Sequence, residues 1–290
     1  MNFVKNNKIL FLLFLIALII SGVFLLNYFI SKQIQKQYFY SQDTVYSQDF
    51  LKPYLVKTFN YKKENINVYS ILNPISKNTI LYFVSPEGIL PDILNSQILE
   101  NNVFILSYPK LKENANFADL TNILALTIKY IQSLSIQTTD VILFGQKITA
   151  NVILSYSQDQ SFKALMLMNL LSSESTLCTN LLNSFFCKLI KPSFKTNTKN
   201  NNPIYFFFND VNSSNIEAKY SLFNEILAEE KFLFELPGTN LNYNFNHIMQ
   251  FYNNTLFHQS LSHEDEPGYH DYSGDVIDAD GFLNPEEYID

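Results

Sequence analysis

Lys147 is the residue on which a chemical reading of this chain turns. It lies in the run Asp140-Val141-Ile142-Leu143-Phe144-Gly145-Gln146-Lys147-Ile148-Thr149-Ala150-Asn151-Val152-Ile153-Leu154. Four apolar residues end at a glycine, two polar residues follow, and apolar and small residues then alternate at helical spacing. That pattern predicts a buried strand, a sharp turn and a helix. A side chain at the tip of such a turn is presented to whatever fills the space beyond the strand ends. A lysine there offers an amine, which is nucleophilic when desolvated. An acylated lysine is an amide, however, and does not turn over as an ester does. The competing reading is a solvated turn lysine, since lysine is rarely buried.

A second constellation closes the chain. Asp278-Ala279-Asp280-Gly281-Phe282-Leu283-Asn284-Pro285-Glu286-Glu287-Tyr288 resembles most of an EF-hand calcium loop. With Gly281 at the sixth loop position, Asp278 and Asp280 fall at the third and fifth, the Phe282 carbonyl at the seventh and Glu287 at the bidentate twelfth. Val276 stands where the loop needs its first aspartate. Pro267, Gly268 and Gly274 interrupt any entering helix, and no paired loop is present. The expectation is weak calcium binding through Asp278, Asp280, Phe282 and Glu287, set against a merely solvated acidic tail.

Composition excludes several classes. All 20 basic residues are lysine, so no arginine clamp for phosphate or carboxylate exists. Residues 264–290 hold ten acids and no lysine, which leaves 20 bases against 17 acids in the rest of the chain. A near-neutral body with an acidic tail carries no nucleic-acid footprint. Cys178 and Cys187 fall in a segment with helical patterning, about 13 Å apart along a helix, too far for a disulfide. Two reduced thiols are expected.

Positioning elements surround the lysine. Residues 9–30 are almost unbroken apolar sequence. That length suits a membrane span and exceeds the apolar core of a cleaved signal peptide, and no small-residue cleavage site follows. Lys5 and Lys8 precede the stretch and Lys32 and Lys36 follow it, so flanking charge does not orient it. Residues 32–63 are polar and tyrosine-rich, expected as a stalk and irregular lead-in. Strands are then expected at 66–72, 79–84, 103–107, 141–144, 164–169, 204–208 and 232–236. Helices are expected at 91–99, 117–134, 148–157, 176–190, 216–229 and 245–257. Alternating strands and helices predict a mostly parallel sheet with helices on both faces. Apolar runs such as Leu165-Met166-Leu167-Met168 and Phe206-Phe207-Phe208 suit strands buried on both sides.

The order of these segments over residues 66–257 resembles the α/β-hydrolase superfamily, and within it the membrane-anchored serine-hydrolase branch of acyl-thioesterase and lipase-like proteins. The resemblance is carried by Ile80-Leu81-Tyr82-Phe83-Val84, Val103-Phe104-Ile105-Leu106-Ser107-Tyr108, the strand–turn–helix unit, Pro203-Ile204-Tyr205-Phe206-Phe207-Phe208-Asn209-Asp210 and Glu235-Leu236-Pro237-Gly238. Against the G-x-S-x-G elbow of that superfamily, Gly145 keeps the first glycine, Lys147 takes the nucleophile position and Thr149 replaces the second glycine. The resemblance places the catalytic acid at Asn212 and the histidine at Leu241. Val84-Ser85-Pro86 stands where the oxyanion loop opens, and Pro86 has no N–H to give. Neighbours do not fill the gaps by position. Asp210 lies two residues early, His247 six late within an expected helix, and Ser155 and Ser157 sit in the helix after the turn.

A serine hydrolase needs a hydroxyl, a base and an orienting acid. With Lys147, Asn212 and Leu241 at those positions, the sequence leads to a membrane-tethered, catalytically degenerate binding or scaffold module for a protein or lipid-like ligand. The resemblance itself implies the alternative, an active esterase, thioesterase or lipase with a rearranged site. No cofactor is expected apart from calcium at the tail. The expected divisions are an anchor over 1–31, the lead-in over 32–63, an α/β-hydrolase-like domain over 64–260 and the tail over 261–290.

Overall fold

A computed structural model describes residues 2–39, 54–76, 78–85, 101–107, 116–170, 199–208, 223–235 and 252. The first element, α1, is a helix over Asn2–Phe39. Its described side chains cover residues 11–26, Tyr28, Phe29 and Lys32. Phe11, Phe14, Ile19, Phe24 and Phe29 stand exposed at positions that circle the helix axis. Among the described residues no helix is long and apolar enough to cross a membrane.

Among the described residues eight strands follow: β1 (Leu55–Tyr61), β2 (Glu64–Ile71), β3 (Thr79–Phe83), β4 (Asn102–Leu106), β5 (Val141–Gln146), β6 (Ala164–Met168), β7 (Ile204–Phe208) and β8 (Lys231–Glu235). They form one sheet in the order β1-β2-β4-β3-β5-β6-β7-β8. β2 runs antiparallel to β1 and β4, and the remaining pairs are parallel. Helix α2 (Phe117–Ser133) and helix α3 (Ile148–Tyr156) connect β4 to β5 and β5 to β6.

Two apolar layers sandwich the sheet. Leu81, Phe83, Phe104, Leu143, Leu165 and Phe206 face α2 and α3, which contribute Leu120, Ile123, Leu124, Ile128, Ala150, Ile153 and Leu154. Tyr82, Ile105, Phe144, Met166, Tyr205 and Phe207 face the other way, against Tyr54 and the helical residue Tyr252. Every residue of β3–β7 is buried, the signature of parallel strands covered on both faces.

Two expectations are corrected. The helix expected over 216–229 ends at residue 225, and Leu227 instead bridges to Lys199. The lead-in, expected to be irregular up to residue 63, forms β1 over Leu55–Tyr61 at the sheet edge. Its reverse turn consists of Lys62 and Lys63 at φ 52° and 71°. Two-residue hairpin turns of this kind favour asparagine and glycine, so a Lys-Lys pair gives no turn signal. The expected helices at 91–99 and 176–190, and with the latter Cys178 and Cys187, lie outside the described residues.

Candidate functional site

Lys147 occupies the tip of a tight turn between β5 and α3, as its sequence context predicts. Its backbone is at φ 54°, ψ −121°, far from any well that accommodates a Cβ comfortably. The turn is held on both sides. The Lys147 N–H donates to the Met168 carbonyl of β6 at 2.9 Å, and the Lys147 carbonyl accepts from Ala150 and Asn151 of α3. The N–H groups of Ile148 and Thr149 open the helix and have no acceptor within it. The Lys147 side chain is half-buried.

Gly145 makes the turn possible by packing. A Cβ there would meet Ile153 Cδ1 at 2.6 Å and the α3 backbone at 2.9 Å, so the helix lies directly on the strand end. Thr149, at the other glycine position, is fully buried. Its hydroxyl accepts the Gln146 N–H at 2.9 Å and has the carbonyls of Gln146 and Phe83 within 2.9 and 3.0 Å. The side chain that replaces glycine therefore laces the turn to β3. Sequence reasoning marked the replacement but not this tie, because Phe83 is 66 residues away in the chain.

Among the described residues two buried polar atoms near this point, Ser85 Oγ and Gln146 Oε1, have no hydrogen-bond partner. Ser85 follows β3 by two residues. β3 pairs with β5 so that Phe83 lies opposite Gly145, which carries Ser85 beyond the strand ends beside the turn. Asn169, at φ 49°, closes β6 at the same edge. Ser85, Lys147 and Asn169 thus follow three adjacent strands at the carboxyl edge of the sheet, where ligands of open α/β sheets bind.

The other expected positions are not placed. Asn212, Leu241, Asp210 and Pro86 lie outside the described residues, as do all four histidines, His247, His258, His263 and His270. The chain leaves β7 and β8 toward these segments from the same carboxyl edge as Lys147. Ser155 is half-buried and Ser157 buried on the far side of α3, where Ser157 joins Asn200. Among the described residues no group of three histidine, cysteine or acidic side chains could hold a metal. The calcium candidates Asp278, Asp280, Phe282 and Glu287 lie outside them.

No known sequence family matches the chain, and no curated protein does. Its fold has solved counterparts. The esterase Est1E from Butyrivibrio proteoclasticus superposes with a TM-score of 0.52 at 10% identity, covering 71% of this chain and 99% of that one. Esterase 2 of Thermogutta terrifontis in its apo form gives 0.53 at 11% identity, over 72% of this chain and 95% of that one. Its native form gives 0.52 at 12% identity, over 78% and 96%. At such identities the likeness is one of fold alone. The chain therefore has an α/β-hydrolase-like fold whose structural neighbours are esterases.

Proposed function

We propose that this chain is a membrane-tethered, catalytically silent hydrolase-like protein that binds a ligand or partner at the carboxyl edge of its sheet. One observation carries the reading. The elbow keeps the strained backbone of a nucleophile-bearing turn, yet presents the amine of Lys147 where a hydroxyl would be needed. The sequence positions Asn212 and Leu241 add neither an acid nor a base. The tether rests on the apolar run 9–30 and on the exposed apolar side chains of α1. Weak calcium binding by Asp278, Asp280, the Phe282 carbonyl and Glu287 belongs to the same reading, on sequence grounds. Calorimetry that shows calcium heat lost in Glu287→Ala supports it, and no heat in the wild type removes it.

The test is labelling with a fluorophosphonate probe, followed by turnover of short-chain acyl esters and thioesters. The expected result is no label and no turnover above Lys147→Ala. Turnover by the wild type that disappears in Lys147→Ala would show that the lysine performs chemistry and would overturn the proposal.

The alternative of an active esterase with a rearranged site has one observation in its favour, the buried Ser85 hydroxyl beside the elbow, which has no partner among the described residues. Labelling that is abolished by Ser85→Ala and kept in Lys147→Ala would establish that alternative.

A further inference from the structure

We infer that the end of the sheet opposite the elbow, formed by the start of β1 and the turn after β2, seats in the interfacial layer of the membrane that holds α1. This inference rests on the tether proposed above.

Four large apolar side chains are exposed at that end. Leu55 is 66% exposed, Val56 54%, Leu72 41% and Ile75 88%. Register brings them together, because Leu55 pairs with Ser70 and Val56 with Tyr69 near the end of β2. Residues 73–76 then form a turn, closed by the Ser76 N–H on the Asn73 carbonyl at 3.0 Å and by Ile75 N–H on Asn73 Oδ1 at 3.1 Å. The turn is fastened to the start of β4, where Asn102 Oδ1 accepts the Asn73 N–H at 2.8 Å. Ile75 is thus held outward on a braced turn at the amino edge of the parallel strands.

An exposed apolar cluster on a braced turn, which no described residue covers, marks a contact surface. Three features select lipid as the partner. First, only residues 40–53 separate α1 from Tyr54, a tether of at most about 50 Å when extended. Second, residues 54–63 and 65–86 contain no acid, while Lys57 is exposed beside Val56. A lysine flanking an apolar edge suits a headgroup layer that is often anionic. Third, the apolar residues occupy both faces of an edge strand and a turn, so they surround one corner rather than form a flat face. A corner can enter the headgroup layer by the roughly 5–10 Å typical of interfacial segments. The consequence is orientation. The carboxyl edge, with Ser85, Lys147 and Asn169, then faces away from the bilayer, about one strand length above it, on the order of 17 Å.

The chain contains no tryptophan, which permits a direct test. Ile75→Trp places a single fluorophore at the corner. Asn60→Trp, at an exposed position five residues along β1 from Leu55, is the control. The full-length proteins are reconstituted in phosphatidylcholine–phosphatidylserine vesicles with or without brominated chains, floated, and excited beyond the tyrosine band. The expected result is that Ile75→Trp loses most of its emission to the brominated lipid while Asn60→Trp keeps it. Flotation of both proteins with neither quenched overturns the inference and leaves the tether standing, as when a second copy of the chain covers the corner. Stronger quenching of Asn60→Trp also overturns it. Failure of both to float defeats the tether itself.

Discussion

The Thr149 hydroxyl lies 3.0 Å from the Phe83 carbonyl oxygen, joining the first turn of α3 to the neighbouring strand β3. The Thr149 hydroxyl oxygen in turn accepts the Gln146 N–H at 2.9 Å. A hydroxyl at this position therefore serves three backbone groups at the point where the chain reverses. Thr149→Val keeps the shape and leaves the Gln146 N–H buried without an acceptor. The expected cost is about 1–3 kcal/mol of folding stability, with Thr149→Ser much closer to wild type. Urea unfolding of the three proteins measures it, and equal midpoints for Val and Thr would remove the role assigned to the hydroxyl.

Gly145 is the steric counterpart of that tie. Because a Cβ would sit 2.6 Å from Ile153 Cδ1 and 2.9 Å from the backbone N of Ala150, Gly145→Ala must push α3 off the sheet. Overpacking of this kind costs roughly 1–3 kcal/mol, and the backbone contacts put it at the upper end. Shortening the flexible partner in Gly145→Ala/Ile153→Val relieves only part of the loss. A single Ala variant as stable as wild type would contradict the close approach.

These two residues show what the sequence discloses. The apolar run ending at Gly145 and the helix after Lys147 are local patterns, so the strand, turn and helix are legible without coordinates. The parallel core is legible for the same reason, since each of β3–β7 holds an unbroken run of at least four apolar residues. Non-local relations are not legible. The Thr149–Phe83 contact, the burial of Ser85 and the turn on Lys62 and Lys63 depend on which strands become neighbours or on a backbone form those side chains do not advertise.

Asp119 gives the fold a pH dependence. It is the N3 residue of α2, in a reciprocal capping box with Asn116, and accepts from Tyr61 Oη at 2.9 Å and from Lys62. Burial pushes its carboxyl pKa up, but hydrogen bonds from Lys62, Tyr61 and the Asn116 N–H outweigh that and hold it below its ordinary 3.8. A depressed carboxyl pKa contributes stability that is present above the unfolded value and lost as pH falls through the folded one. Stability should fall from about pH 4 downward, and Asp119→Asn should flatten that fall while lowering stability at neutral pH. The Lys62 ammonium is exposed, so Lys62→Ala should cost little at physiological salt. An unchanged acid limb in Asp119→Asn would refute the assignment.

Asn202 braces the end of α3 against the approach to β7. Its side chain accepts the Phe162 N–H at 2.6 Å and donates to the carbonyls of Ser157 and Gln160 at 2.9 and 3.0 Å. The bonds to Phe162 and Ser157 are buried and the one to Gln160 is partly so. Asn202→Leu matches its size while stranding those groups, and is expected to cost about 3 kcal/mol or more. Asn200→Ala, which leaves Ser157 Oγ near the Leu154 carbonyl at 3.3 Å, should cost less. A reversed order in thermal unfolding would show that Asn200 is the principal brace.

The last expectation concerns Lys147 and separates backbone from chemistry. At φ 54°, ψ −121°, a residue with a Cβ is strained, by roughly 1–3 kcal/mol. Glycine relieves that strain and adds about 0.5–1 kcal/mol of unfolded-chain entropy in the opposite direction. Lys147→Gly is therefore expected to be more stable than wild type by about 1 kcal/mol. Lys147→Ala keeps the strain and removes the amine, so its difference from Lys147→Gly isolates the backbone contribution. Strain is retained only where the surrounding structure imposes it, and here Met168, Gly145 and Thr149 do so. If the elbow is a relic of a nucleophile's turn, the glycine variant gains stability and all three proteins remain unlabelled by fluorophosphonate. If Lys147→Gly is instead destabilised, the lysine side chain is stabilising its own turn through contacts of its stem, and the strained backbone is part of how this protein folds rather than a remnant of catalysis.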